Sequence, residues 1–209
     1  MSDIFEEISK EVQQEKWLSL WRRYQKQINT FGICVLVVAA LGWYWQYRQT
    51  EITLEASNAY SDAILYVDMG KPDRALHSLE GIPQKSGHAY VELTGLLGGT
   101  ILQEMADKQG AATAYENVVK NASSETMKDL ALLKLLYLQA DSGAYEEVLT
   151  RISPLVEKNS VWRPLALELK AFVLRQLGKE EEAQQILRDL ASNGSPAVAT
   201  RVSLEMSAL

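Results

Sequence analysis

Hydrophobic positions after residue 47 recur at helical spacing, and short polar turns interrupt them at regular intervals. In four segments a small residue near the start of a helix is followed by apolar residues about four and seven positions later. These small residues are Ala75, Ala111, Val148 and Ala183, which lie 36, 37 and 35 residues apart. A single hairpin of this kind cannot bury its apolar face alone, so the pattern predicts hairpins that stack into an α-solenoid.

Glycines mark three of the predicted turns, because glycine can end a helix in a left-handed conformation without steric cost. The period is close to that of tetratricopeptide repeats, about 34 residues. The residues assigned to turns and repeat packing are Gly70, Ala75, Ala111, Tyr115, Gly143, Val148, Gly178 and Ala183. Helices are predicted at 48–69, 72–82, 87–106, 108–121, 124–142, 144–157, 161–177, 179–192 and near 195–207. A plain helical bundle without a true repeat is the alternative.

The segment Ile28–Trp45 contains no charged residue in 18 positions. As a helix it would be about 27 Å long, close to the roughly 30 Å hydrocarbon thickness of a bilayer. Tryptophans and tyrosines flank it on both sides, as at membrane interfaces. The segment predicts an uncleaved transmembrane helix over 28–46; a buried core helix and a cleaved signal peptide are the alternatives. The anchor residues are Ile28, Phe31, Val35, Leu36, Leu41, Trp43 and Trp45.

Basic residues set the predicted orientation of this anchor. Arg22, Arg23 and Lys26 precede it, whereas Arg48 is the one basic residue in the twenty that follow. The positive-inside rule then predicts a cytoplasmic leader helix over 1–27 and a periplasmic repeat domain over 47–209. The amphipathic leader fits either a helix on the inner leaflet or a docking helix for a partner.

Composition and motifs favour a helical protein without catalytic chemistry. Glycine (12) and proline (5) are sparse, and the net charge of −6 comes without the basic block that nucleic-acid binding requires. Cys34 has no cysteine partner, and His77 and His88 stand outside any metal-ligand spacing. The Gly98-Gly99 pair is not followed by a phosphate-loop lysine, so close helix packing explains it better. We therefore predict no enzyme, no cofactor, no metal and no nucleic-acid partner, and a function in protein binding.

The organisation resembles the bacterial ancillary Sec translocon subunits, the YfgM-like family. The runs Trp162–Leu169 and Lys128–Ala131, and the start from Phe5 to Arg23, look like features of its alphaproteobacterial branch. The resemblance implies an inner-membrane protein whose periplasmic tetratricopeptide repeats meet translocon subunits, periplasmic chaperones or nascent chains. An assembly or structural factor for an envelope or respiratory membrane complex is the alternative, and the oligomeric state stays open.

Overall fold

The computed structural model describes residues 2–83, 86–158, 160–194, 198 and 200–201, and the side chains of residues 2–29 and of residue 32 lie outside that description. All regular structure in these ranges is helical. The helices are α1 (Ser2–Asp68), α2 (Pro72–Glu80), α3 (His88–Glu104), α4 (Lys108–Asn121), α5 (Glu125–Ala140), α6 (Tyr145–Arg151), α7 (Ser153–Glu157), α8 (Arg163–Gln176) and α9 (Glu180–Asn193). The chain divides into two compact units, residues 1–51 and 52–209, and each is described by itself.

Helix α1 is unbroken from Ser2 to Asp68, where the sequence reading placed a leader, an apolar segment and a first repeat helix. The stretch contains no proline and no polar turn, so each backbone N–H can find its carbonyl one turn earlier. From α2 onward, most helix ends lie within about two residues of the predicted bounds.

The prediction of one helix over 144–157 is wrong, because the chain breaks at Ile152 into α6 and α7. Pro154 is the cause: it has no N–H to donate to the carbonyl of Thr150, and its ring crowds that carbonyl. Of the last predicted helix, near 195–207, the structure describes residues 198, 200 and 201 as helical, and the remainder lies outside the described residues.

In each of the four hairpins, a left-handed turn joins the first helix to the second. The turn residues are Gly70, Ala106, Gly143 and Gly178, with φ of +67°, +63°, +82° and +75°. They lie 36, 37 and 35 residues apart, the same spacing as the buried small residues that follow each of them. The backbone therefore repeats at this period even where the sequence places alanine instead of glycine.

The hydrogen bonds of these turns are the same in every hairpin. The N–H of Ala106 donates to the carbonyl of Gln103 at 3.0 Å, and the N–H of Asp107 donates to that of Leu102 at 2.9 Å. Gly70, Gly143 and Gly178 and the residues after them make the equivalent pair of bonds. This is the Schellman arrangement, which satisfies carbonyls left unpaired at the end of a helix.

Buried side chains connect each hairpin to the next. Ala75, Ala111, Val148 and Ala183 are 0% exposed. Three of the hydrophobic clusters draw residues from two consecutive hairpins. They centre on Ala63, Leu79 and Ile101; on Leu96, Tyr115 and Leu135; and on Leu136, Ile152 and Leu169. Because each apolar face is buried by its neighbour, the hairpins stack as a solenoid.

Polar contacts also connect each of two hairpins to the loop that leads into the next one. The Glu92 carboxylate accepts a hydrogen bond from the N–H of Ser123 at 2.6 Å, and one repeat later the Asp129 carboxylate accepts one from the Ser160 hydroxyl at 2.6 Å. The Trp162 indole N–H donates to a backbone carbonyl on α5 at 3.0 Å. The segment that leads into α8 therefore contacts the first turns of α5 across a repeat boundary.

Candidate functional site

The first helices of the four hairpins present an equivalent position to solvent. We call residues 52–68 of α1, together with α3, α5 and α8, the A helices, and α2, α4, α6 and α9 the B helices. Six positions before each left-handed turn stands one residue per A helix: Ile64, Thr100, Tyr137 and Phe172. We call these four residues the A-helix row. Ile64, Tyr137 and Phe172 are 42%, 37% and 41% exposed although all three are large and apolar or aromatic.

The A-helix row differs from the faces that the hairpins bury. On α5, Leu135, Leu136 and Leu138 are buried on either side of Tyr137, so the helix commits its leucines to the core and turns the tyrosine outward. On α8, Ala171 and Val173 do the same around Phe172. Large apolar side chains held in solvent at equivalent points of stacked helices are typical of an interaction surface.

The second position of the row is polar instead. The Lys134 ammonium donates to the Thr100 hydroxyl at 3.2 Å, which places α5 directly beside α3. The same ammonium lies 5.8 Å from the centre of the Tyr115 ring, and the hydroxyls of Thr100 and Tyr115 are 3.2 Å apart. Burial lowers the pKa of Lys134, and the nearby carboxylate of Glu104 opposes that shift. This part of the surface therefore offers a half-buried cation that can bind a carbonyl or carboxylate oxygen.

Comparison with known proteins decides the family. The family model of the tetratricopeptide repeat-like domain matches residues 18–206, most of the chain. The chain belongs to the tetratricopeptide repeat-like domain family. Membership in it points to a non-enzymatic, protein-binding role, because stacked helical hairpins present extended surfaces on which partners bind.

Relatives of this repeat-like domain include one curated protein and two solved structures. The chain is 24% identical over 183 residues to the "Ancillary SecYEG translocon subunit" of Escherichia coli (strain K12), which covers 85% of this chain and 86% of the relative. The resemblance to that family is thereby confirmed. Two crystal structures of MamA share 14% and 15% identity, with TM-scores of 0.53 and 0.52. They cover 74% and 67% of this chain and 81% and 77% of theirs, and they show the fold alone.

The residues predicted for turns and repeat packing occupy two kinds of position in the repeat-like domain, the turns and the core. Gly70, Gly143 and Gly178 occupy left-handed turns. Tyr115 and the four small residues lie in the core clusters, all at 0% exposure. Sequence reasoning missed the A-helix row, although counting back from the three glycine turns would have found Ile64, Tyr137 and Phe172.

The residues predicted for the membrane anchor lie on α1 in the first compact unit. Phe31, Val35, Leu36, Leu41, Trp43 and Trp45 are all exposed there. The side chains of Ile28, Arg22, Arg23 and Lys26 lie outside the described residues. Within the part of α1 and the other helices that the structure describes, no helix is both long and apolar enough to cross a membrane.

Side chains that could bind a metal do not cluster in the described part of the chain. In the described ranges no three His, Cys, Asp or Glu side chains come together as a metal site. His77 Nδ1 lies 3.6 Å from Glu80 Oε2 on the exposed side of α2, and His88 begins α3. Within the contacts that the structure describes, neither histidine meets a serine or cysteine nucleophile.

Proposed function

We propose that this chain is a membrane-anchored, non-enzymatic scaffold of the bacterial inner membrane, an ancillary subunit of the Sec translocon. Its A-helix row binds segments of emerging envelope proteins or of the periplasmic chaperones that receive them. Residues 28–46 form the anchor, residues 1–27 stay in the cytoplasm, and residues 47–209 form the periplasmic domain. The family membership and the similarity to an ancillary translocon subunit over most of both chains support this assignment.

The observation that carries the binding role is the A-helix row itself. Ile64, Tyr137 and Phe172 keep large side chains in solvent, and on α5 and α8 the apolar residues on either side of the row are buried. A partner that covers these side chains removes apolar surface from water, at about 25 cal/mol for each Å². Between Ile64 and Tyr137, the Lys134 ammonium and the Thr100 hydroxyl supply the polar contacts that would orient such a partner.

The anchor rests on the apolar run of α1. Its exposed tryptophans and leucines have no apolar cover in the first compact unit, and a bilayer would supply that cover. The basic residues before the run and the acidic balance after it favour a periplasmic repeat domain. A partner surface at the translocon exit would then meet segments as they leave the membrane.

Crosslinking followed by pull-down from native membranes tests the binding role. We expect the chain to enrich translocon subunits or periplasmic chaperones above unrelated anchored proteins. Tyr137→Ser combined with Phe172→Ser should reduce that enrichment about tenfold or more, because aromatic anchors dominate interfaces of this kind. Val161→Ser is the matched control, since Val161 is 76% exposed in a loop away from the row.

Two results would contradict the proposal. The first is enrichment no greater than that of unrelated anchored proteins. The second is an equal loss in the control and in the double variant. Stable, stoichiometric migration with a folded envelope or respiratory complex on a native gel would instead favour an assembly factor.

Topology is tested separately with a single introduced cysteine. In a Cys34→Ser background, His77→Cys places a thiol on the exposed face of α2, where the histidine side chain is 89% exposed. A membrane-impermeant maleimide should label this cysteine in intact spheroplasts. Labelling that requires lysis of the cells would place the repeats in the cytoplasm and overturn the proposed orientation.

A further inference from the structure

A cleft of about 770 Å³ opens between α3 and α4, beside the end of α2 and away from the A-helix row. Its volume lies within the range of about 300–1,000 Å³ typical of ligand pockets. Its lining combines apolar side chains, among them Ile82, Val91 and Val118, with the polar side chains of Glu92, Asn117 and Asn121.

The short length of α2 explains why the cleft exists. Helix α2 has 9 residues, whereas α4 and α9 have 14 each and the 7-residue α6 is continued by α7. The last turn of α2 ends beside the middle of α3, where Leu79 Cδ1 lies 3.8 Å from the point that a Cβ on Gly98 would occupy. The turns of α3 before Gly98 therefore run past the end of α2 and lack the cover that a longer helix would give.

The polar groups of the cleft have hydrogen-bonding capacity left for a ligand. Glu92 is 6% exposed, and its hydrogen bonds from Ser123 and Ser124 both reach the same carboxylate oxygen. The buried hydroxyl of Thr94 has no hydrogen-bond partner. Within the described residues, no hydrogen bond involves the side-chain amides of Asn117 and Asn121, each of which can donate and accept.

The spacing of the two amides matches an extended peptide. Asn117 and Asn121 are four residues apart on α4, which is about 6 Å along a helix axis. Alternate residues of an extended chain, whose peptide groups face the same side, repeat at about 6.6 Å. Each amide can therefore pair with one of two successive peptide groups on the same edge of such a chain, while an apolar side chain lies against Val91 and Val118.

The same lining disfavours other classes of ligand. No lysine or arginine lines the cleft among the described residues, and a buried carboxylate would repel a phosphate. No phenylalanine, tyrosine or tryptophan stands among its described lining residues to stack on a sugar or a base, and the imidazole of His88 is exposed at the start of α3. We propose that this cleft binds a short extended segment of an unfolded polypeptide, with Asn117 and Asn121 holding its backbone. This inference rests on the proposed scaffold role and adds to it a second contact for the client chain.

The two histidines provide a matched crosslinking experiment in the full-length chain, purified in detergent. His88 lines the cleft and His77 does not, although both residues are exposed. In a Cys34→Ser background, His88→Cys and His77→Cys are each labelled with a benzophenone maleimide and illuminated with reduced, carboxymethylated lactalbumin, a permanently unfolded protein. We expect at least about fivefold more crosslinked product from position 88, and none of this excess with native lactalbumin. Equal yields from both positions would overturn the proposal.

Removal of the amides tests the assigned contacts. Asn117→Ala with Asn121→Ala should lower the crosslinking yield at position 88 and weaken binding of the unfolded probe about tenfold, since two backbone hydrogen-bonding groups lose their partners. Alanine favours the helix, so a loss of binding would not reflect unfolding of α4. Asn58→Ala is the control on another exposed helix face. Unchanged crosslinking in the double variant would exclude these amides as the contacts.

The same probe distinguishes failure of the cleft from failure of the scaffold role. If Tyr137→Ser and Phe172→Ser abolish binding while the asparagine variant does not change it, the scaffold stands and the cleft proposal fails. If no variant binds less than the unchanged chain and the probe crosslinks nowhere above background, both fail.

Discussion

The second and fourth hairpins build the same backbone turn from different residues. The left-handed residue is Ala106 in the second hairpin and Gly178 in the fourth, with φ of +63° and +75°. The following helix begins after Asp107 in one case and after Lys179 in the other. Only the aspartate caps its helix, by accepting a hydrogen bond from the Gly110 N–H at 2.9 Å. The second hairpin therefore combines a strained turn residue with a good cap, and the fourth has the reverse.

The cores of these two hairpins also differ at two positions, and the two differences offset each other. Tyr115 and Leu187 occupy equivalent positions nine residues after the turn, and both are buried. Seven residues before the turn, the second hairpin has Gly99 and the fourth has Ala171. A Cβ on Gly99 would lie 2.5 to 2.9 Å from the Tyr115 ring. In these two hairpins a larger side chain on the B helix goes with a smaller residue on the A helix, which explains why the second hairpin departs from the Ala171 and Leu187 pair of the fourth.

The largest expected effect comes from adding one carbon at this contact. Gly99→Ala should destabilise the fold by about 1–3 kcal/mol, because the new methyl group overlaps a ring that is fixed on all sides. The urea midpoint followed by circular dichroism measures the change. Gly98→Ala is the neighbouring control: its Cβ would meet Leu79 at an ordinary 3.8 Å, so the better helix propensity should leave it neutral or more stable.

The second hairpin can then be converted to the residues of the fourth. Tyr115→Leu alone should open a cavity, but combined with Gly99→Ala it reproduces the Leu187 and Ala171 pair. The double variant should be more stable than the sum of the two single changes implies, by about 0.5–3 kcal/mol. Strict additivity would show that the two residues do not compensate each other.

The next effect concerns the helix caps. Asp107→Ala should destabilise the second hairpin by about 1 kcal/mol, since the Gly110 N–H loses its acceptor. Lys179→Asp should stabilise the fourth hairpin, which has no side-chain cap at α9. Opposite shifts of the urea midpoint are expected in the two variants. A loss of stability in Lys179→Asp would mean that the fourth hairpin cannot accept a cap of this kind.

A smaller effect on stability is expected when the turn residues are exchanged. Ala106→Gly should stabilise the chain by about 0.5–1 kcal/mol, because glycine adopts positive φ without the steric penalty that alanine has. Gly178→Ala should have the opposite sign and a similar size. No atom of the described residues lies within 4 Å of the point that a Cβ on residue 178 would occupy, so the effect there would be purely conformational. The same sign in both variants would contradict the equivalence of the two turns.

The sequence predicted the hairpins well because their turns and small residues are local signals. Gly70, Gly143 and Gly178 have a steric reason to stand where they do, and the period of 35 to 37 residues follows from Ala75, Ala111, Val148 and Ala183. Ala106 gave no such signal, since alanine does not indicate a left-handed turn. Without that register, the A-helix row could not be aligned across the second hairpin. The cleft beside α2 depends on how far one helix extends along another, which no local pattern in the sequence specifies.

The smallest expected effect concerns the charge beside the second hairpin. Burial lowers the pKa of Lys134, so at pH values between its folded pKa and its ordinary value the unfolded chain binds more protons. Stability should therefore rise with pH in that interval. Burial also raises the pKa of Tyr115, which acts in the opposite direction above about pH 10, the ordinary tyrosine pKa.

The urea midpoint at pH 8 and just below pH 10 isolates the lysine contribution. Lys134→Met should remove part of the rise, whereas Lys120→Met, which removes an exposed charge from the neighbouring helix α4, should leave it in place. The fourth hairpin has Leu169 at the position equivalent to Lys134, so it has no matching titration. An unchanged slope in Lys134→Met would mean that the ammonium is solvated as well in the folded chain as in the unfolded one.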